Sequence, residues 1–429
     1  MQHRNMTGIY LTTKLIMDNP DYIKVLRDDI GLNLAIIGFS GQLPQVVNEK
    51  SPYDGVPLSD DCLHRLVARH MDGGLVDPLE FDRVRASIGP SVTVGGDDAM
   101  FRKCIDTAHQ AGCDVWICGG SWTLRRLMFC PSNTLTNDWY ESVYCHLASH
   151  YGVQGLDITH ARFPMGSFPR GLFACTCDAC ENEANNMGYD MPRMVGSLRS
   201  AHQRLRETDM SHLVSGANGG LGPLDILHLL GLDPGLLDWF RFRSGLLGHN
   251  LGRFREAVQD ANPDILFGTD TYPASLSLFM GHNHGDWANF ADFASPLVSH
   301  IYQFVSLTLI EWAIFIQEIH PELCERDAMQ IVYSITGYDG LGMPESISAY
   351  NAQDPEDLAQ SIPLTEVILH DLKKARSSLP DQVPSYPILH GSGWPKDAII
   401  EIREGSEKLG HNGIIWQGTD ELVDYRLKS

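Results

Sequence analysis

Eight short apolar segments, spaced along the chain and separated by helix-period stretches, limit what this sequence can fold into more than any other feature. In order they are "TGIYLTT" (7–13), "LNLAIIGFS" (32–40), "CDVWICGG" (113–120), "VQGLDITH" (153–160), "DILFGTDTY" (264–272), "SPLVSHIY" (295–302), "YPILHGSG" (386–393) and "NGIIWQG" (412–418). They are short, rich in β-formers and bounded by Gly or Pro, which is the signature of buried strands. Segments such as "DDAMFRKCIDTAHQAG", "LGRFREAVQDANP" and "AIIEIREGSEKLGH" precede them with helical periodicity. Near-continuous apolar strands alternating with helices predict a parallel sheet covered on both faces. Eight units favour a closed (β/α)8 TIM barrel over an open doubly wound sheet. The chain has no GxGxxG after its first strand and no GxxxxGK[ST], so the usual nucleotide-binding signatures of the open sheet are missing. One barrel domain spanning 1–429 is expected. Two long connections, about 41–98 and 303–384, are expected as insertions on the catalytic rim.

The composition narrows the partners. The 429 residues include 54 acidic and 32 basic side chains, a net charge of −22. Such a surface repels nucleic acid and anionic membranes, and suits a neutral or cationic small molecule. No apolar run reaches the roughly 18 residues that span a bilayer. The opening "MQHRNMTGIYLTT" lacks the apolar stretch of a signal peptide. A cytoplasmic protein with reduced thiols is expected, so clustered cysteines read as a metal site or reactive groups rather than as disulfides. The oligomeric state is left open, a homo-oligomer included.

Barrel active sites form where the strands end. The fourth strand ends in Asp157, Thr159 and His160, with Arg162 just beyond. The fifth brings Asp270 and Tyr272, the sixth His300 and Tyr302, the seventh His390 and then Trp394. The eighth brings Trp416 and Gln417, followed by Glu421, and Trp122 follows the third. Aromatic faces for sugar C–H surfaces, imidazoles and amides for hydroxyls, and two carboxylates to divide acid from nucleophile or base are the ingredients of a carbohydrate site. The plainer reading is that Asp at a strand end caps a turn and that rim tryptophans only pack. Asp157 and Asp270 rise above it because they end consecutive strands, which lie about 4.8 Å apart. No organic cofactor is implied.

The third and fourth strands are followed by cysteines: Cys130 in "LRRLMFCPSN", then Cys175, Cys177 and Cys180 in "CTCDAC". Four thiolates from two neighbouring loops would make a closed tetrahedral zinc site, which staples loops and leaves no position for a reacting water. This layout, R-x-x-x-C-P followed by C-x-C-x-x-C, resembles the glycoside hydrolase family forty-two β-galactosidases. The resemblance implies a structural zinc on these four cysteines. Cys104, Cys113, Cys118 and Cys145 read as unliganded thiols in helices or strands.

That family carries an Asn-Glu pair at the end of the fourth strand, whereas "GLDITHARFP" has no Glu. The run resembles instead a strand end closing in R-F-P, with its carboxylate earlier on the strand, in uncharacterised putative glycoside hydrolases with amylase-like barrels. Residues 268–302 are similar to the same group. These resemblances imply a glycoside hydrolase acting on a small carbohydrate or glycoside. In that reading Asp157 is nucleophile or base, held ionised by Arg162 and His160. Asp270 is the acid, with Tyr272 against it. Trp122, Trp394 and Trp416 form the sugar platform, and Glu345 and Glu421 are reserve acids. Two alternatives stay open: a sugar isomerase, epimerase or lyase with a divalent metal on His160, Asp270, His300 and His390, and a sugar-binding barrel without catalysis.

Overall fold

The computed structural model describes residues 5–38, 43, 97–122, 130–163, 176–210, 231, 233–350 and 360–428, with isolated positions between 212 and 228. Its strands are β1 (Met6–Leu11), β2 (Leu34–Ile37), β3 (Asp114–Gly120), β4 (Gly155–Thr159), β5 (Leu266–Thr271), β6 (Phe293–Pro296), β7 (Ile388–His390) and β8 (Gly413–Gln417). All pair in parallel in the order β6-β5-β4-β3-β2-β1-β8-β7. Parallel bridges Ala294–Ser385 and Leu297–Ile388 join the two ends of that order. The eight-stranded (β/α)8 TIM barrel expected from the alternation is the observed fold.

The described helices are α1 (Thr13–Asp18), α2 (Tyr22–Ile30), α3 (Asp98–Gln110), α4 (Thr134–His150), α5 (Asp178–Asn186), α6 (Met191–Glu207), α7 (Pro234–Ala261), α8 (Leu307–Ile319), α9 (Glu325–Thr336), α10 (Leu364–Ser378) and α11 (Lys396–Lys408). Their starts follow local chemistry. Asp97, Asn133, Asp190 and Asp233 each accept backbone N–H groups at the starts of α3, α4, α6 and α7. Pro234 occupies the first turn of α7, where its missing N–H costs nothing. Among the described residues, no helix is long and apolar enough to cross a membrane.

The expected insertion at 41–98 falls almost wholly outside the described residues. The stretch 303–384 holds α8, α9 and α10. A third long connection, between β4 and β5, carries α5, α6 and α7, and the sequence reading did not single it out. The sixth strand also needs correction. It was expected at 295–302 and spans Phe293–Pro296. The apolar run that suggested a strand continues into α8, and a short apolar run does not separate a buried strand from a buried helix. His300 and Tyr302 therefore stand beyond β6, on the turn into α8.

The barrel interior is plugged by aromatic rings. Trp116 on β3 stacks on Phe293 of β6 with ring centroids 4.2 Å apart, and Tyr386 meets both at 6.1 Å. β3 and β6 are not neighbours, so this contact crosses the interior. Glycine on the intervening strands makes it fit. A Cβ on Gly155 would lie 2.6 Å from the Trp116 indole, and one on Gly268 would lie 2.6 Å from the Phe293 ring. Gly268→Ala should therefore overpack the interior and lower stability by about 1–3 kcal/mol. Urea unfolding should show a lower midpoint at unchanged slope; a midpoint equal to the parent's would mean that the ring stack yields freely.

Candidate active site

Side chains alternate along a strand, so the face that carries Gly155 also carries Asp157 and Thr159, and the face of Gly268 also carries Asp270. Both carboxylates therefore point into the barrel, on adjacent strands. Asp157 pairs in register with Gly268 and is fully buried, two residues short of the end of β4. Its Oδ2 accepts the Tyr10 hydroxyl of β1 at 2.5 Å. That bond also crosses the interior, and Tyr10 itself is only half-buried. Oδ1 of Asp157 is buried without a hydrogen-bond partner among the described residues. Burial pushes the Asp157 carboxyl up to about 7, the Asp270 charge adds to this, and the Tyr10 hydroxyl opposes it. The Cys118 thiol, paired with Asp157 in register, is pushed up by burial and by both carboxylates.

Asp270 lies nearer the rim and is held differently. Its Oδ2 accepts the Thr159 hydroxyl at 2.8 Å. It also accepts the backbone N–H of His160. His160 has φ 62°, the one positive value for a non-glycine among the described residues. Burial pushes Asp270 up to about 6, against the Arg162 charge and these two hydrogen bonds. Since the Thr159 proton is given to Asp270, the Thr159 oxygen accepts from His160 Nδ1–H at 2.9 Å. Burial, with Arg162 and His300 nearby, pushes His160 down to about 3, so the imidazole is neutral.

Arg162 is 6% exposed. Its guanidinium lies 5.4 Å from the Tyr272 ring centre and 5.2 Å from that of Phe304. His300 and His390 stand 5.9 Å apart between Phe304 and Trp394. Both imidazoles are pushed down by burial first, His300 to about 4. His390 Nδ1–H donates to the Gln417 carbonyl at 3.2 Å. Tyr302 is half-buried at the start of a π turn, Tyr302–Ser306. Glu421 is exposed, and its N–H donates to the Gly391 carbonyl beyond β7 at 3.0 Å.

Three expected site residues lie elsewhere. Trp122 is fully buried, its Nε1–H donates to Asn137 at 2.9 Å, and its ring packs on Tyr140 and Phe254 of α4 and α7. These contacts with α4 and α7 make it a core residue of the helix layer. Trp416 alternates with the inward Ile415 and Gln417, so it faces outward, toward Ile400 and Arg403 of α11. Glu345 is 71% exposed and pairs with Arg326 at 3.3 Å on the surface. The structure therefore places Trp122 and Trp416 away from the mouth where a sugar platform was expected, and Glu345 on the surface rather than beside Asp270.

Sequence reasoning overlooked Tyr10, Phe304 and His282. Tyr10 lay in a segment read only as a strand. His282 is buried and neutral, pushed down to about 4 by burial. It accepts the Tyr272 N–H at 3.0 Å and donates to the Ala161 carbonyl at 2.8 Å, which ties β5's exit to the segment holding Arg162.

Cys130, Cys177 and Cys180 meet as a buried group that could hold a metal ion. Sγ of Cys130 is 3.4 Å from that of Cys177 and 3.2 Å from that of Cys180. A tetrahedral zinc with thiolates at about 2.3 Å needs sulfurs roughly 3.8 Å apart, so a small outward shift suffices. Cys175 lies outside the described residues. His160, Asp270, His300 and His390 form no such group: among the described residues only the three cysteines make a set of three or more whose ligand atoms all lie within 4.8 Å of one another.

No family model matches the chain, and no curated protein matches it. Solved structures similar to it include a β-galactosidase from the Antarctic haloarchaeon Halorubrum lacusprofundi, at 12% identity and TM-score 0.46, over 96% of this chain and 52% of that one. An endo-β-1,4-mannanase from Thermotoga petrophila is similar at 10% identity and TM-score 0.44, over 99% of this chain and 73% of that one. A maltogenic α-amylase from Thermotoga neapolitana is similar at 9% identity and TM-score 0.38, over 100% of this chain and 71% of that one. This chain thus spans about half the length of the β-galactosidase. These likenesses are of architecture, and the activities named are those proteins' own.

The raised Asp157 carboxyl has a consequence for stability. Unfolded, the acid loses its proton near pH 4; folded, near 7. Between these values the folded state binds the extra proton, so stability falls as pH rises through the window and is level above it. Asn copies the protonated acid and removes this fall. The melting temperature of Asp157→Asn relative to the parent should rise from about pH 4.5 to about pH 7 and stay level above that. A difference that does not change with pH would mean that folding leaves this acid's proton affinity unaltered.

Proposed function

We propose that the chain is a glycoside hydrolase acting on a small carbohydrate or glycoside. The observation that carries this reading is the pair of desolvated carboxylates on β4 and β5, only one of which has a cation beside it. Two acids in unlike environments can share a glycosidic cleavage, one ionised and one protonated. The roles run opposite to the sequence expectation. Arg162 acts on Asp270, so Asp270 is the group that stays ionised and serves as nucleophile or base. Asp157, with no cation among its influences, keeps its proton longer. Buried as it is, it acts through Tyr10: once Asp157 is protonated, its Oδ2–H donates to the Tyr10 oxygen, the reverse of the bond that the ionised acid accepts, and Tyr10 gives its own proton to the departing oxygen as it takes the one from Asp157. Trp394 and His390 flank the sugar.

Leaving-group dependence separates these roles. Asp270→Ala should lose about a hundredfold or more on natural and dinitrophenyl glycosides alike. Added azide should restore turnover of the activated one if the reaction is retaining. Tyr10→Phe and Asp157→Asn should lose far more on the natural glycoside than on the dinitrophenyl one, because an activated leaving group needs little protonation. The parental pH–rate profile should be a bell with limbs near 6 and 7, set by Asp270 ionising and Asp157 deprotonating. Parental turnover by Asp270→Ala would overturn the reading.

The cysteine group completes it as a structural zinc site, with Cys175 as fourth ligand. Its support is the buried, close-set trio and the spacing of the fourth thiol. Purified protein should carry about one zinc. Cys177→Ser should lower zinc content and thermal stability together, and full occupancy in that variant would contradict the assignment.

A further inference from the structure

Resting on the glycosidase reading, we infer that the barrel mouth takes a sugar bearing an anionic group, with Arg162 as the residue that binds that group. The guanidinium is more than nine-tenths buried, yet no hydrogen-bond acceptor or ion-pair partner for it is present among the described residues. Its neighbours are the faces of Tyr272 and Phe304, which hold its plane and leave its N–H fork uncommitted. Other arginines differ. Arg253 is paired with Asp138 and Glu141, and Arg255 with Asp292. Asp270 feels the Arg162 charge, but its own oxygens are engaged by Thr159 and the His160 N–H. A buried cation without a partner is costly, and such a fork matches a carboxylate, sulfate or phosphate two bonds at a time.

The local backbone serves the same end. The π turn Tyr302–Ser306 brings Phe304 against Arg162, and the Tyr272 hydroxyl donates to the Phe304 carbonyl at 3.1 Å. π turns of this kind are frequent at functional sites. The remaining polar atoms at the mouth call for hydroxyls. His390 spends its Nδ1–H on Gln417, which leaves Nε2 an acceptor, and Gln417 Oε1 is a buried acceptor without a partner among the described residues. One anion and several hydroxyls describe an acidic sugar. The net charge of −22 pointed to neutral or cationic ligands. That field is screened beyond about 8 Å at physiological salt, so the ligand is chosen by the cation it touches.

The test is calorimetry on the full-length protein with matched pairs: methyl glucuronide against methyl glucoside, methyl galacturonide against methyl galactoside, and the 6-sulfates and 6-phosphates of glucose and galactose against the free sugars. At least one acidic member should bind about tenfold or more tightly than its neutral counterpart, and which one does identifies the anion. Arg162→Gln should abolish that preference, read as the ratio of acidic to neutral affinity within each pair. Should Arg162→Gln fail to fold, Arg162→Lys, which keeps the charge and loses the fork, should retain only part of the preference. Equal affinities within every pair, or no binding in any, overturn the inference. Turnover separates it from the reading beneath it. Hydrolysis of neutral glycosides as fast as acidic ones leaves the glycosidase and removes the acidic substrate. A bound acidic sugar with no glycoside turned over leaves the anion site and removes the glycosidase.

Discussion

The Trp116–Phe293 stack across the barrel is the contact on which the rest of the site depends. Two large rings meet at 4.2 Å only because the strands between them present glycine there. The two-residue period of a strand then places Asp157 and Asp270 two positions further along the same inner faces. The rings dry the space beneath the carboxylates, and burial heads the causes of both raised proton affinities. A barrel whose interior is filled by side chains is a packed core and not a pore. Here that core is also what makes two aspartates unlike ordinary ones.

Burial alone would make the two acids alike. What separates them is where the cation and the hydrogen-bond donors fall. Asp270 has Arg162, the Thr159 hydroxyl and the His160 N–H, all of which favour the ionised form. Asp157 has one donor, Tyr10, and an oxygen with no partner. The Tyr10 bond matters for reach as well as charge. It joins a carboxyl sealed inside the barrel to a half-buried tyrosine, the link on which the proposed proton transfer rests.

Much of the fold was legible because strand period and helix period are local. The eight-fold alternation foretold the barrel, and seven strands lie within the segments that suggested them or overlap them closely. β6 slipped because one apolar run contained both its end and the approach to α8. Of the residues expected at strand ends, Asp270, His160, Arg162, His300 and His390 stand together near the mouth, and Asp157 lies deeper, two residues short of the end of β4. Side-chain direction was not legible. Trp416 differs from Gln417 by one residue, and that residue turns it to the outside of the sheet. Trp122 follows a strand as Arg162 does, but its indole N–H finds Asn137 in the helix layer. Tyr10 was invisible because its partner is 147 positions away in sequence, and nothing local marks an inward tyrosine as special.

The segment from His160 to Phe163 shows how such a site is kept in place. A left-handed backbone at a non-glycine residue stores roughly 1–2 kcal/mol and persists only where its surroundings over-determine it. Here they do. The Ser121 hydroxyl donates to the Thr159 carbonyl at 3.2 Å, and the Arg162 N–H to the His160 carbonyl at 2.8 Å. His282 holds the Ala161 carbonyl, and the Phe163 N–H donates to Met280 at 3.1 Å. The turn thus hangs between β3's exit and the segment after β5. That geometry sends the His160 N–H to Asp270 and the Arg162 side chain onto Tyr272. Cys130 follows β3 and Cys177 and Cys180 follow β4, so a metal on those thiols would join the two connections that begin at Ser121 and at this turn. A metal held there would place the cysteine group and the carboxylates in one arrangement, because the turn itself sets the charge of Asp270 through the His160 N–H and the Arg162 side chain.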